Sequence, residues 1–376
     1  MNNSAFYVIS VAVAIAVALT ISSSPEEPFQ RIESISKDTV EYIGGDGKTK
    51  LRGHWHYSSV ANDADPDAGP VVVMAHGFGL TQTQGLQKYI TAFQKAGMNV
   101  FTFDYATFGE SDGVPRHQVC PESHVADLRS TVEMITTRAN TSSDENDSAM
   151  KKVDPTRIGL WGTSLGGGHV LQLASDPSFI LLNPSVQAIV SQVPHLTIGL
   201  KSLIVPSLKV TPVDALKGLG YITLALIKSA LYALIFNKPS YYPLVGLPGT
   251  PAMMQNPGDY AGYLRLVESE KDTDSHTNGA SGWTNAATPV SGLKVVMQYC
   301  PMRNVDRITT PTLLLAAEND TLCPAKYVEE AHNKIPKSEY YLSQNTGHFD
   351  IYDGRELVVS LEKEVLFFQK HLRVRK

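Results

Sequence analysis

The sequence predicts an α/β fold built on a mostly parallel sheet, and three observations predict it. Short apolar runs suited to buried strands alternate with longer stretches whose apolar residues recur at helical spacing. The intervals between them suit right-handed crossovers. A glycine-rich segment, Ile158-Gly-Leu-Trp-Gly-Thr-Ser-Leu-Gly-Gly-Gly168, joins one such strand directly to a helix.

The elements follow in order. Residues 39–43 and 51–57 are β-branched or aromatic strands joined by the hairpin-type turn Gly44-Gly-Asp-Gly47. His54 and His56 alternate onto one strand face, but no third ligand accompanies them, so they are not read as a metal site. Residues 62–69 are a polar, acidic loop. The wholly apolar run 71–74 suits a strand covered on both faces. Residues 89–96 form a helix and 100–103 another buried strand. In 123–138, Val125, Leu128, Val132 and Ile135 recur at helical spacing. A polar surface loop, 140–152, precedes the strand 157–160, and the helix 166–175 leaves the glycine-rich turn. Strands at 188–193, 312–316 and 339–342 and an amphipathic helix at 357–372 complete the alternation.

Between 195 and 306 the alternation breaks. Residues 220–236 carry one charge, Lys228, and in isolation would pass for a membrane helix. The central lysine and the interruptions at Pro206, Pro212 and Gly220 favour a helical lid over a site instead. Residues 258–284 are polar and read as partly mobile.

Composition narrows the function. With 376 residues, 43% hydrophobic and 18% charged, the chain is long enough for a sizeable core. A formal charge of -5 offers no basic surface for nucleic acid. Three scattered cysteines support neither a disulfide framework nor a zinc cluster, and each reads as a small buried side chain. Residues 5–21 are uncharged and apolar and precede Ser22-Ser-Ser-Pro25, so 1–24 reads as a signal peptide or a membrane anchor. Both readings place the protein in the secretory pathway, secreted or membrane-anchored, with membrane association through 5–21. Arg31 and Lys37 behind a retained anchor would favour a cytosolic body.

The chemistry centres on Ser164, held in a Gly-x-Ser-x-Gly frame from Gly162 to Gly166. Such a frame turns the chain so sharply that the serine adopts a strained conformation, and side chains two residues to either side would collide with the neighbouring strand and helix. The Leu165 N–H, opening the helix, then points at a developing oxyanion. A serine needs a base, and the base an orienting acid. Asp320 ends the buried strand of Thr312-Leu-Leu-Leu-Ala-Ala-Glu-Asn-Asp320, where α/β enzymes place function. Its competing role is a helix N-cap before Pro324, and Glu318 and Asp350 are competing acids. His348 lies on the loop Asn345-Thr-Gly-His348 after the last strand. The second oxyanion donor is the Phe78 N–H in His76-Gly-Phe-Gly79, and His76 reads as a brace for that loop.

These residues together resemble the α/β-hydrolase superfamily. From about residue 38 onward the chain resembles its acetyl xylan esterase-like and polyketide-transferase-like branch. The matching segments are Val73-Met-Ala-His-Gly-Phe-Gly79, Phe103-Asp-Tyr-Ala-Thr-Phe-Gly-Glu-Ser-Asp-Gly113, Ile158 to His169, Ser191-Gln-Val-Pro194 and Gly347-His-Phe-Asp-Ile-Tyr352. The resemblance implies an eight-stranded, mostly parallel sheet with helices on both faces and an inserted helical lid. Ser164, Asp320 and His348 would be the triad. It implies a core from 38–194 and 307–376, interrupted by the lid at 195–306. Ala106-Thr107 departs from the Arg-Gly usual after Asp-Tyr.

The expected activity is that of a serine hydrolase cleaving a carboxylic ester, thioester or lactone through an acyl-enzyme, with no metal or organic cofactor. The apolar lid points to an apolar small-molecule acyl substrate. An acyltransferase or serine peptidase on the same fold stays open, as does a catalytically inactive membrane-tethered binding protein.

Overall fold

The computed structural model describes residues 39–58, 68–141, 153–197, 212–268 and 283–374. The apolar segment 5–21, most of the loop expected at 62–69 and most of that at 140–152 lie outside the described residues. Eight strands form one sheet: β1 (Val40–Ile43), β2 (Lys50–His56), β3 (Gly69–Ala75), β4 (Asn99–Asp104), β5 (Val153–Thr163), β6 (Val186–Gln192), β7 (Thr312–Ala317) and β8 (Ser338–Ser343). Their spatial order is β1-β2-β4-β3-β5-β6-β7-β8. The hairpin β1–β2 and the β2–β4 pair are antiparallel; every later pair is parallel.

The parallel strands are apolar throughout because both faces are covered, and the two-residue period sends neighbours to opposite sides. Val71, Val73, Phe101, Phe103, Leu160, Ile189 and Leu314 meet one set of helices. This set comprises α2 (Pro121–Thr141), which contributes Leu128, Val132 and Ile135, and α3 (Leu165–Ala174), which contributes Val170 and Leu171. Val72, Met74, Val100, Trp161, Val190, Leu313 and Leu315 face the other way. They meet Ile90 and Phe93 of α1 (Gln87–Lys95) and Phe367 and Phe368 of α9 (Gly354–His371). Each such buried Leu, Phe or Ile contributes roughly 1.5–3 kcal/mol relative to exposure, so the double-sided burial accounts for the strand pattern.

One helix was not anticipated. The short α4 (Pro177–Leu182) follows Asp176, whose carboxylate accepts from the Ser178 N–H, with proline in the first turn. That signal was present in Asp176-Pro-Ser178. The helix foreseen near Pro324 is present as α8 (Ala325–Lys334), which packs Val328 and Ala331 on the sheet.

The chain between β6 and β7 contributes α5 (Pro212–Phe236), α6 (Asp259–Glu268) and α7 (Pro289–Met297). Lys228 of α5 is buried, its ammonium 5.3 Å from the Tyr232 ring, while Leu234, Ile235 and Phe236 are exposed. Among the described residues no helix is long and apolar enough to cross a membrane. Of the polar stretch 258–284, residues 269–282 lie outside the described residues. Residues 259–268 are helical because Asp259, Gly262, Tyr263, Leu266 and Val267 share one buried face, a helical period hidden among polar residues.

One buried polar pair of the core has a consequence for stability. The Trp161 indole donates to Glu364 at 3.0 Å, both side chains buried. Burial pushes the Glu364 carboxyl up to about 8, against the smaller downward pull of the indole. The native state therefore holds a proton that the unfolded chain releases above its ordinary carboxyl range, so stability falls as pH rises from about 4.5 toward 8. Glu364→Gln keeps the indole's acceptor and removes this slope. Its melting temperature should exceed the parent's at pH 8 and converge with it near pH 5, as thermal unfolding across that range would measure.

Candidate active site

The carboxyl ends of β3, β5, β6 and β7 converge where the strand order reverses, the usual place for chemistry on such a sheet. Ser164 sits between β5 and α3 with φ 55° and ψ -119°, a conformation that L-residues avoid. The turn is possible because of its glycines. A Cβ on Gly162 would lie 2.3 Å from the Gly166 carbonyl oxygen, and one on Gly166 would lie 2.2 Å from the Ala75 oxygen of β3. Both collisions are with backbone. Neighbours hold the strained residue: its N–H donates to the Gln192 oxygen at 2.9 Å, and its own oxygen accepts from the His195 N–H at 2.9 Å.

Three side chains from distant loops meet here. His348 Nε2 is 3.1 Å from Ser164 Oγ, and His348 Nδ1 is 2.6 Å from Asp320 Oδ2. Both residues are screened from solvent, with His348 5% and Asp320 6% exposed. Asp320 is not the cap of α8, a position that Pro324 occupies. Its Oδ1 instead accepts from the Leu322 and Cys323 N–H groups, which fixes the carboxylate while Oδ2 faces the histidine. The competing acids are engaged elsewhere. Glu318 accepts from the Asn345 N–H, and Asp350 accepts from the Gly347 N–H and from Arg265. Burial works against charge on His348, but attraction to and the hydrogen bond with Asp320, assisted by Asp259, outweigh it and raise its pKa.

The proposed oxyanion donors flank the serine. Leu165 opens α3, a helix N-terminus where unpaired N–H groups and the dipole favour negative charge. Phe78 lies in the turn after β3, and a Cβ on Gly77 would touch the Ser164 Cβ at 3.4 Å, so this turn leans on the nucleophile. His76 is buried, donates from Nδ1 to the Gly77 oxygen at 3.1 Å and packs against Tyr105. Burial pushes its pKa down to about 4, so it is neutral at pH 7. The two strand histidines bond separately, His54 with Glu110 and His56 with Thr102.

Four contributions were missed from sequence. Asp259 of α6 is buried near His348 and Asp320, its carboxyl pushed up to about 6 by burial. Tyr263 of α6 donates to the Phe78 carbonyl at 2.8 Å. Cys323 is buried, as expected, but lies against the triad: Asp320, Cys323 and His348 offer ligand atoms all within 4.8 Å of one another. Such a set has the size to hold a metal ion, though Asp320 and His348 here satisfy each other directly. Behind the serine, Gln192 donates to Thr163 Oγ1 and Tyr89 Oη, and Thr163 pairs with Tyr352. Of these, Gln192 had a sequence signal, in Ser191-Gln-Val-Pro194.

The Ala106-Thr107 departure has a structural consequence. Thr107 takes φ 75°, a region suited to the glycine it replaces. Its hydroxyl donates to the Gln118 oxygen and accepts from the Gln118 N–H, and these local bonds hold the strained turn.

The backbone collisions make Gly166→Ala the sharpest single probe of the turn. Forcing a methyl against the β3 carbonyl should lower stability by roughly 1–3 kcal/mol and misplace the serine. Denaturant unfolding measures the first effect, and labelling of Ser164 by a fluorophosphonate the second.

Comparison with known proteins agrees with this architecture. The chain is 30% identical over 310 residues to the quorum-quenching protein AidA of Acinetobacter baumannii (strain MDR-ZJ06), covering 82% of this chain and 88% of that one. It is 25% identical over 334 residues to the thiohydrolase aneE of Aspergillus aculeatus, covering 88% and 92%. Among solved structures, the α/β hydrolase GrgF from Penicillium sp. sh18 superposes with a TM-score of 0.64 at 20% identity, covering 90% of this chain and 100% of that one. The family model described as serine aminopeptidase, S33, matches residues 66–348. With that match over most of its length and an eight-stranded sheet of the same class, the chain belongs to the S33 family of α/β hydrolases.

Proposed function

We propose that the protein is a serine hydrolase that cleaves an ester-type bond (carboxylic ester, thioester or lactone) through an acyl-enzyme. The observation that carries this reading is the line Ser164 Oγ–His348 Nε2, 3.1 Å, and His348 Nδ1–Asp320 Oδ2, 2.6 Å, at a strained turn beside a helix N-terminus. His348 takes the Ser164 proton as Oγ attacks the acyl carbon. Asp320 fixes the imidazole and stabilises its cation, while the Phe78 and Leu165 N–H groups receive the oxyanion. As the intermediate collapses, the acyl–oxygen or acyl–sulfur bond breaks and His348 protonates the departing group. Water then enters, gives its proton to His348 and attacks the acyl-enzyme, and the returned proton frees Ser164. The helices of 195–306 form a lid, and their apolar side chains favour an apolar acyl group. The similarity to a protein named as a thiohydrolase puts thioesters among the first substrates to test.

Peptidase action is the second reading, favoured by the family's description and by one observation. Asp259 is a buried acid beside His348, positioned to pair with a substrate amine.

Purified protein should hydrolyse p-nitrophenyl esters, acyl thioesters or lactones in a chain-length-dependent manner and label with a fluorophosphonate. Ser164→Ala should lose both while melting like the parent; retained turnover would discard the assignment. Hydrolysis of aminoacyl p-nitroanilides in preference to all esters would select the peptidase reading.

The raised pKa of His348 gives a pH test. Activity needs the neutral imidazole, so kcat/KM should climb with pH through a midpoint above 6.5. Asp320→Asn removes the attraction that raises it. The midpoint should then move to lower pH, and kcat should fall by about 10⁴-fold. A midpoint that stays in place would detach Asp320 from the histidine.

A further inference from the structure

The turn after β3 reads Gly77-Phe78-Gly79-Leu80. The Leu80 N–H points back to the Gly77 oxygen at 3.4 Å, Gly79 has φ 68°, and Phe78 keeps a negative φ. Positive φ at the third position alone is the signature of a type II turn. Types I and II differ by rotation of the central peptide, whose carbonyl here is that of Phe78. Glycine at the third position tolerates either side of φ, so local preference does little to fix that peptide.

Something outside the turn does. Tyr263 of α6 donates its hydroxyl to the Phe78 carbonyl at 2.8 Å. The phenol is 2% exposed, and burial holds it protonated, so it can act only as the donor toward that oxygen. Its ring is fixed between Trp283 and Phe349, with centroids 5.8 and 6.0 Å away. From the other side, Leu244 fills the space a Gly79 side chain would need, with its carbons 2.6 Å from the ideal Cβ. The same helix also bears on the histidine loop: a Cβ on Gly262 would lie 2.4 Å from the Phe349 Cβ, next to His348. One helix of the insertion therefore grips both the turn carrying Phe78 and the loop carrying His348.

We infer that Tyr263 is a positioning residue, tethering Phe78 through its carbonyl so that α6 holds the residue carrying the donor N–H in place beside Ser164. The inference rests on the hydrolase reading above. Rotation of that peptide would turn the Phe78 carbonyl away from the phenol and release the carboxyl side of Phe78, whereas the bond to Tyr263 tethers there the residue whose N–H is the donor. The hydroxyl thus acts on the transition state and leaves ground-state binding largely alone.

The test compares wild type, Tyr263→Phe and Trp283→Phe on one p-nitrophenyl ester. A reversible trifluoromethyl ketone serves as transition-state mimic, and melting temperatures are recorded for each. Tyr263→Phe should lower kcat by roughly tenfold, leave KM within about twofold, and weaken the ketone in proportion to kcat/KM. Trp283→Phe, which perturbs the packing and spares the hydrogen bond, should keep kcat and ketone affinity near the parent values. Unchanged kcat and ketone affinity in Tyr263→Phe would overturn the inference alone, since wild-type turnover in the same assay leaves the hydrolase reading standing. Equal losses in the two variants would reduce Tyr263 to packing and also overturn it. A wild type that neither turns over nor labels with fluorophosphonate would overturn both.

Discussion

The strained backbone of Ser164 is the constraint on which the rest of the site depends. At φ 55° and ψ -119° the residue is held by bonds to Gln192 and His195, both supplied by the chain leaving β6. Isolated, such a conformation costs on the order of 1–3 kcal/mol. The sheet must therefore be assembled before the serine can point at His348. The glycines at 162 and 166 admit the turn, and the β6 backbone holds it. Fold and site share the same hydrogen bonds, so a change that loosens β5 against β6 reaches the hydroxyl directly.

The sheet was legible in the sequence because its strands are buried on both faces. Runs such as Val71-Val72-Val73-Met74 and Leu313-Leu314-Leu315 leave little alternative to a covered strand, and all eight lie within a few residues of expectation. Boundaries were less legible. The strand expected at 157–160 extends back to Val153, where Asp154 and Arg157 pair with each other and the polar pattern masks the pairing with β3. The meeting of Ser164, Asp320 and His348 was foreseeable for a topological reason: each follows a parallel strand at its carboxyl end, and neighbouring strands bring those ends together.

What the insertion adds was not legible, because it depends on contacts between residues far apart in the chain. Tyr263 reaches a carbonyl 185 positions earlier. Nothing local to residues 258–268 announces a donor for another loop, and the apolar face of α6 is short and interleaved with charges. Cys120 and Cys300 are only partly buried, against expectation, whereas burial was foreseen correctly for Cys323. Its environment is as buried as a core position, yet the wall beside it is the functional one.

Burial alone would make a poor base of any histidine here, and the contrast with its neighbours shows why the acid matters. His56, His76 and His195 are pushed down to about 4 by burial, and His117 to about 3. His348 is as deeply enclosed, yet its pKa is raised, because Asp320 and Asp259 offset the loss of water. The enclosure that strengthens every electrostatic interaction at the site also removes solvent as a proton acceptor. A histidine that is buried and still basic needs a carboxylate fixed against it, and the Leu322 and Cys323 N–H groups fix Asp320 there. The carboxylate of Asp259 arrives only with α6. The helix that grips the Phe78 turn therefore also tunes the base, so docking of the insertion bears on both halves of the proposed reaction.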